Sequence, residues 1–223
     1  MYARIVTSAE FRDRLDHRAG QAGISVPDEA VEALEVYLRV LSKWNARINL
    51  TALPLTPPSD EALDRLLVEP LAAARSVQDG PFSWVDLGSG GGSPAIPLKI
   101  VKPALRLTMV ESRTRKAAFL REAVRAIGLT GALVAEARFE DYASQPEIAD
   151  TAALVTVRAV RTDHVLFDVA ARLLRKGGRL LMFCPTTAAV STPDFSYIET
   201  VALTNRPAYL AICERMFHVE QGR

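Results

Sequence analysis

A glycine-rich segment follows an acidic residue in the sequence VDLGSGGGSPAIP, from Val85 to Pro97. Asp86 precedes the glycines, and Gly88 and Gly90 fill the first two positions of a GxGxxG pattern whose third position holds Ser93. Glycines permit positive φ and let the backbone approach a ligand, while the amides of a following helix attract negative charge. The segment therefore predicts a ligand-binding turn, with a purely structural tight turn as the alternative.

A second acidic residue stands where nucleotide-binding folds hold a ribose. Glu111 closes the apolar run RLTMVES, a little over twenty residues after Gly88, and its carboxylate can accept both ribose hydroxyls of an adenosine. This feature fits NAD and S-adenosylmethionine equally. Asp86 favours S-adenosylmethionine, because a carboxylate at the turn would repel a pyrophosphate but can face the ammonium group of a methionine moiety. A nucleotide-binding oxidoreductase is the competing hypothesis.

The composition describes an ordinary globular chain without a strong electrostatic field. Of its 223 residues, 27 are Lys or Arg and 26 are Asp or Glu, which gives a net charge of +1 and confines any nucleic-acid surface to a local patch. Cys184 and Cys213 lie far apart without metal-ligand spacing, so we expect reduced thiols and no metal site. The start of the chain lacks the apolar segment of a signal peptide, and no apolar run is long enough to cross a bilayer, which predicts a cytoplasmic protein without membrane contact.

The first part of the chain has a helical pattern. Val31, Leu34, Leu38 and Leu41 recur at helical spacing, which predicts an amphipathic helix with one buried face. The prolines of LPLTPPSDEAL are expected to end this helix, and Ser59 is expected to cap the next one. We therefore assign residues 1–80 to an N-terminal helical part.

The remainder, residues 81–223, alternates short apolar runs with amphipathic segments. The apolar runs are SWVDLG, RLTMVES, GALVAEA, AALVTVRAV and GRLLMFCP. This alternation is typical of a parallel sheet covered by helices on both faces. At the end, FSYIETVAL and AYLAICERMF are separated only by TNRP, which predicts an antiparallel hairpin. The predicted fold is α/β, a Rossmann-like doubly wound sheet closed by a C-terminal hairpin and preceded by N-terminal helices.

Four segments, in chain order, resemble the bacterial guanine-N7 methyltransferases of small-subunit ribosomal RNA, a family also called glucose-inhibited division protein B. They are YLRVLSKWNARINLTAL (Tyr37 to Leu53), VDLGSGGGSPAIPLKI (Val85 to Ile100), ARFEDY (Ala137 to Tyr142) and VRAV (Val157 to Val160). The resemblance implies a class I methyltransferase fold and S-adenosylmethionine as cofactor. It also implies methyl transfer to N7 of a guanine in 16S rRNA, free or within the small ribosomal subunit.

The resemblance also implies cofactor contacts from individual residues. These are Gly88 and Ser93 in the turn, Phe139 and Glu140 after the third strand, and Arg158 after the fourth. The complete predicted cofactor site is Asp86, Gly88, Gly90, Ser93, Glu111, Phe139, Glu140 and Arg158. No catalytic base is assigned, because guanine N7 carries a lone pair and no proton. Arg158 is the best candidate for orienting substrate or cofactor. We expect it to contact the cofactor, a phosphate or guanine O6 alone, since a bidentate grip on O6 and N7 would block the nucleophile.

The sequence departs from the family pattern in two segments. Ser93 replaces a larger apolar residue in the turn, and RLLVEPL carries Leu66, Glu69 and Pro70 where the family has His, Asp and Ser. These departures bear on substrate contacts of the N-terminal part more than on cofactor binding.

Other functions stay open at this point. A basic helix beside the cofactor edge is suited to rRNA phosphates or is simply a solvated face; its basic residues are Arg113, Arg115, Lys116, Arg121 and Arg125. The alternatives are a methyltransferase acting on another RNA, a small molecule or a protein, and a non-catalytic nucleotide-binding module. We expect a monomer.

Overall fold

The computed structural model of the chain describes residues 7–187 and 192–216. Its first two helices are α1 (Ser8–Gln21) and α2 (Asp28–Asn45). The predicted apolar stripe lies on α2, and all four of its residues, Val31, Leu34, Leu38 and Leu41, are buried. The stripe therefore forms the face by which α2 packs into the core, as the spacing predicted.

Helix α2 ends at Asn45, so the prediction that the downstream prolines end it is wrong. The side-chain oxygen of Asn45 accepts hydrogen bonds from the backbone N–H groups of Leu50 and Thr51, both at 2.9 Å. Its side-chain amide donates to the carbonyl oxygen of Thr51 at 3.0 Å. Because these three bonds close residues 46–51 into a compact loop, the chain leaves the helix well before the first proline.

A second helical run follows Ser59, whose hydroxyl accepts a hydrogen bond from the N–H of Ala62 at 3.1 Å. The predicted N-cap is therefore confirmed. The run comprises α3 (Asp60–Leu63), a π-helical segment (Asp64–Val68), α4 (Glu69–Ala73) and a short 3-10 turn (Ala74–Ser76). In the π-helical segment the N–H of Glu69 bonds to the carbonyl of Asp64, five residues earlier, which widens the helix.

Seven strands form one sheet in the order β3-β2-β1-β4-β5-β7-β6. They are β1 (Ser83–Leu87), β2 (Arg106–Val110), β3 (Ala132–Ala135), β4 (Ala152–Arg158), β5 (Leu174–Cys184), β6 (Phe195–Ala202) and β7 (Tyr209–Arg215). The first five strands are parallel, and β7 is antiparallel to both β5 and β6. The predicted doubly wound sheet and its C-terminal hairpin are thus confirmed, except that Phe217 at the end of the second predicted hairpin run lies outside the described residues.

Helices cover both faces of the sheet. The connecting helices are α5 (Ala95–Val101), α6 (Thr114–Ile127), α7 (Phe139–Ala143) and α8 (His164–Leu173). One core joins α1, α2, α5 and α6 to the sheet face that carries Trp84 and Met109, and the other joins α8 to the face that carries Val85 and Val155. The N-terminal helices therefore share a core with the sheet, while the division of the chain at residue 80 stays a prediction. Within the described parts of the chain, no helix has the length and hydropathy needed to span a membrane.

Replacing Asn45 by Ala should lower the free energy of unfolding by about 1–3 kcal/mol, because it leaves two partly buried backbone N–H groups without an acceptor. Asn49 lies in the same loop but is exposed, so Asn49→Ala is the matched control and should change stability by no more than about 0.5 kcal/mol. Urea denaturation of both variants measures the difference. Equal stabilities would show that Asn45 does not hold the loop.

Candidate functional site

The glycine-rich turn lies at the carboxyl end of β1, the edge at which sheets of this kind bind ligands. The N–H groups of Gly88 and Ser89 both donate to the carbonyl of Val110, at 2.9 and 3.1 Å, which fastens the turn to the end of β2. Gly88 has φ +69°, and a Cβ added there would lie 2.9 Å from a methyl carbon of Val160. The turn therefore needs glycine at this position both for its backbone conformation and for space.

Glu111 and Gly90, predicted separately, are in direct contact. One carboxylate oxygen of Glu111 accepts a hydrogen bond from the Gly90 N–H at 2.9 Å, and the other accepts from the Arg113 N–H at 2.8 Å. Glu111 is buried. Because each carboxylate oxygen has a second lone pair, the side chain can order the turn and still accept hydroxyl groups of a ligand.

Asp86 lies beneath the turn, inside the fold, with 1% of its surface exposed. The hydroxyl of Thr156 donates to its carboxylate at 2.5 Å, and the indole N–H of Trp84 donates to that hydroxyl at 2.8 Å. Burial raises the pKa of Asp86 to about 6, although the hydrogen bond from Thr156 opposes this shift. The carboxylate is therefore held in a costly environment, and its predicted contact with a ligand's ammonium group stays a prediction.

Arg158, at the end of β4, forms a buried ion pair with Glu69 of α4. The two side chains are each 11% exposed, and a terminal guanidinium nitrogen lies 2.7 Å from the Glu69 carboxylate. The guanidinium also donates to the carbonyl of Arg65, and its carbon lies 4.4 Å above the centre of the Phe183 ring. Burial raises the pKa of Glu69 and lowers that of Arg158, while their mutual attraction opposes both shifts.

Two cavities meet at Arg158. The turn cavity, about 330 Å³, lies over the glycine-rich turn and is lined by Leu41, Leu50, Thr51, Ala52, Leu53, Arg65, Leu66, Gly88, Ser89, Gly90, Gly91, Ser93, Lys116, Arg158 and Ala159. The outer cavity, about 400 Å³, is lined by Glu61, Asp64, Arg65, Glu69, Arg158, Ala159, Phe183, Cys184, Pro185, Thr204, Arg206, Pro207 and Ala208. Arg65, Arg158 and Ala159 line both cavities, so a group bound in one lies beside a group bound in the other.

The remaining predicted cofactor residues lie after β3. Phe139 and Glu140 begin α7 and are both half-buried; Phe139 packs against the core of one sheet face. Glu140 pairs with Arg138 at 3.5 Å. Among the described residues no hydrogen bond joins either side chain to the glycine-rich turn, and their role in cofactor binding stays a prediction. Within residues 7–187 and 192–216 no group of three or more His, Cys, Asp or Glu side chains is arranged to hold a metal ion.

The sequence pattern of the family described as rRNA small subunit methyltransferase G matches residues 30–189. The chain belongs to this family. A relative from Chloroflexus aggregans with that name is 38% identical over 159 residues, which cover 71% of this chain and 66% of the relative, just under two thirds of its length. Another from Stenotrophomonas maltophilia strain K279a is 41% identical over 164 residues, covering 73% of this chain and 72% of the relative.

Solved structures with low sequence identity share the fold. MtNAS in complex with MTA and tNA has a TM-score of 0.56 and 15% identity, with 93% of this chain and 75% of that chain covered. A SAM-dependent O-methyltransferase from Thermotoga maritima has a TM-score of 0.51 and 16% identity, with 74% of each chain covered. These similarities support the class I methyltransferase architecture.

The two segments that depart from the family pattern are in contact in the structure. Pro70 has no N–H to offer the carbonyl of Leu66 four residues earlier, and that carbonyl instead accepts a hydrogen bond from the hydroxyl of Ser93 at 3.1 Å. The N–H of Glu69 bonds to the carbonyl of Asp64 and not to that of Arg65, as it would in an α-helix. The carbonyl of Arg65 can therefore accept a hydrogen bond from the guanidinium of Arg158. Ser93 and Pro70 are therefore linked, and Glu69 keeps a carboxylate where the family has Asp.

The five basic residues predicted to form a basic helix lie in different environments. Arg121 pairs with Glu136 at 3.0 Å, whereas Lys116 lines the turn cavity. Arg113, Arg115 and Arg125 are exposed. Arg121 is exposed as well, so all four arginines form an open basic surface, which is consistent with RNA phosphates or with solvation alone.

Replacing Asp86 by Asn should change the pH dependence of stability. A carboxyl group with a raised pKa stabilises the folded state fully below its unfolded pKa of about 3.9, and that contribution is lost as the pH rises through about 6. From pH 4.5 to 7.5 the stability of Asp86→Asn relative to the wild type should therefore rise by about 2 kcal/mol. Denaturant titrations across this range measure the change. The exposed Asp168, replaced by Asn, is the control, and a flat difference for Asp86→Asn would contradict the assigned burial cost.

Gly88 and Gly128 form a matched pair for testing the turn. Both have positive φ, +69° and +75°, but only Gly88 would place a Cβ against a neighbour. Each substitution by Ala should cost about 1–2 kcal/mol of stability through backbone strain. Only Gly88→Ala should also weaken the binding of S-adenosylhomocysteine, by about tenfold or more, as measured by calorimetry. Equal affinities in the two folded variants would remove Gly88 from the ligand site.

Proposed function

We propose that this chain transfers the methyl group of S-adenosylmethionine to N7 of a guanine in 16S rRNA, free or within the small ribosomal subunit. The observation that carries the proposal is the family match over residues 30–189, which includes the glycine-rich turn and the ends of β1 to β4. The same proposal includes a monomeric enzyme that acts in the cytoplasm.

The residues at the turn fit S-adenosylmethionine. Gly88 and Gly90 line the turn cavity and carry no side chains, and Glu111, bonded to the N–H of Gly90, has lone pairs left for two ribose hydroxyls. The whole proposed set is Asp86, Gly88, Gly90, Ser93, Glu111, Phe139, Glu140 and Arg158. The hydroxyl of Ser93 already donates to Leu66, so its share in cofactor binding would come from its backbone or its spare lone pair.

When bound, S-adenosylmethionine supplies a methyl group made electrophilic by its sulfonium. The chain's own part is to position the acceptor, because guanine N7 has no proton to lose and needs no base. Arg158 is suited to positioning, since its plane is fixed by Phe183, Glu69 and Arg65 and it lines both the turn cavity and the outer cavity. The carboxylates of Asp86 and Glu69 near this point favour the positive charge that persists during transfer.

The proposal predicts that the purified chain adds labelled methyl groups from S-adenosylmethionine to small ribosomal subunits, or to their free rRNA, taken from cells lacking the endogenous enzyme. Mass spectrometry of the digested rRNA should then find 7-methylguanosine. Arg158→Lys keeps a charge but loses the planar fork, so it should reduce transfer by about 100-fold while remaining folded.

Two outcomes would contradict the proposal. Methyl groups on an exocyclic amine or a ribose hydroxyl would contradict N7 as the acceptor. Cofactor binding without any transfer to ribosomal RNA would favour a non-catalytic module, and transfer to a protein or small molecule would assign a different substrate.

A further inference from the structure

The outer cavity adjoins the turn cavity on the side away from the glycines. Its walls come from the π-helical segment and α4, from the ends of β4 and β5, and from the loop between β6 and β7. At about 400 Å³ it falls within the size range of small-molecule sites. Since Arg158 borders both cavities, a planar group in the outer cavity lies beside whatever occupies the turn cavity.

The wall at this border presents a hydrogen-bond donor next to an acceptor. Arg158 has five N–H groups, and its contacts with Glu69, Arg65 and Ser93 engage three at most. Within the described residues, Glu69 makes a hydrogen bond through only one carboxylate oxygen, the one that faces Arg158. The guanidinium and the carboxylate are 2.7 Å apart, so their unused donor and acceptor sites are neighbours.

The hydrogen-bond pattern of this arrangement is complementary to the edge of guanine and not to the corresponding edge of adenine. Guanine carries O6, an acceptor, directly beside N1–H, a donor. Adenine carries an amino donor on C6 beside N1, an acceptor, so its order is reversed. An arginine donor beside a glutamate acceptor therefore complements the O6 and N1–H of guanine. Against adenine, the same pair would place a donor opposite the amino donor and an acceptor opposite the N1 acceptor.

We propose that the Arg158–Glu69 pair recognises the acceptor guanine in the outer cavity, with Arg158 donating to O6 and the free Glu69 oxygen accepting from N1–H. This inference rests on the proposed function, because it takes guanine as the acceptor. Binding through O6 and N1–H leaves N7 unobstructed. Glu69 is thus a specificity-determining residue that contacts the substrate.

Neighbouring groups fix the position of the Arg158 guanidinium. Phe183 lies under the guanidinium at 4.4 Å, and the carbonyl of Arg65 fixes one of its terminal nitrogens. Both side chains are largely buried, so a base with the wrong pattern would leave the unused Arg158 N–H and the free Glu69 oxygen without hydrogen-bond partners in a poorly hydrated site. Sites built in this way reject an analogue with the wrong donor pattern much more strongly than an apolar pocket does.

Binding of mononucleotides tests the inference without relying on methyl transfer. With the turn cavity filled by saturating S-adenosylhomocysteine, guanosine 5′-monophosphate should bind about tenfold or more tightly than adenosine 5′-monophosphate. Inosine 5′-monophosphate keeps O6 and N1–H and should bind like the guanosine nucleotide. NMR titration at millimolar nucleotide measures all three affinities.

Three variants separate recognition from folding. Glu69→Gln replaces the acceptor by an amide and should abolish the preference for guanosine 5′-monophosphate. Glu69→Asp restores a carboxylate and should retain the preference. Glu214→Gln removes the carboxylate from another Arg–Glu pair, with Arg179 at 3.8 Å, outside both cavities, and should behave as the wild type. Circular dichroism and the affinity for S-adenosylhomocysteine check that each variant is folded.

The outcomes distinguish this inference from the proposed function. Equal binding of the two nucleotides by the wild type, no binding of either, or an unchanged preference in Glu69→Gln would overturn the recognition role even if rRNA is methylated. A guanosine preference that disappears in Glu69→Gln would support it even if methyl transfer to rRNA fails.

Discussion

The buried ion pair between Arg158 and Glu69 is the interaction on which the site depends, because it joins the N-terminal helical run to the carboxyl end of the sheet. Removing one partner of such a pair costs several kcal/mol, since the other charge is left buried alone. The pair in turn requires the π-helical segment, which brings Glu69 to β4 and leaves the carbonyl of Arg65 for the guanidinium. The distortion of this helix is thus part of the binding surface.

The glycine-rich turn is fixed in a comparable way from several directions. The end of β2 holds Gly88 through a carbonyl, Glu111 holds Gly90, and the hydroxyl of Tyr37 donates to the carbonyl of Gly91 at 2.6 Å. Tyr37 is completely buried in α2, and Asn45 at the end of the same helix closes the loop that forms the opposite wall of the turn cavity. Helix α2 therefore anchors the glycine-rich turn and positions the loop that lines the turn cavity. Both functions need α2 to pack against the sheet, in the core that the two share.

Patterns within short windows predicted most of the fold, whereas contacts between distant residues escaped prediction. Alternating apolar runs identified the strands and the hairpin, and the hydroxyl of Ser59 marked a helix start, since these signals depend on neighbours in sequence. The end of α2 was missed because Asn45 acts through a side-chain contact that periodicity does not register. Glu69 was taken only as a departure from a family pattern, because its partner lies 89 residues away. The cofactor contact of Ser93 stays a prediction, and periodicity could not show that its hydroxyl also donates to the carbonyl of Leu66, which Pro70 leaves without an N–H partner four residues later.

The buried charges themselves argue for a ligand. Asp86, Glu69 and Arg158 all lie where burial opposes their charged forms, and apolar side chains of similar volume would generally give a fold at least as stable. Both carboxylates interact electrostatically with Arg158, which lines both cavities, and Glu69 lines the outer cavity. Groups held at such a cost around one arginine are poorly explained by stability. They are better explained by a site that holds a cationic sulfonium and a polar base edge next to each other at Arg158, because fixed charges in a dehydrated site stabilise both more than water does.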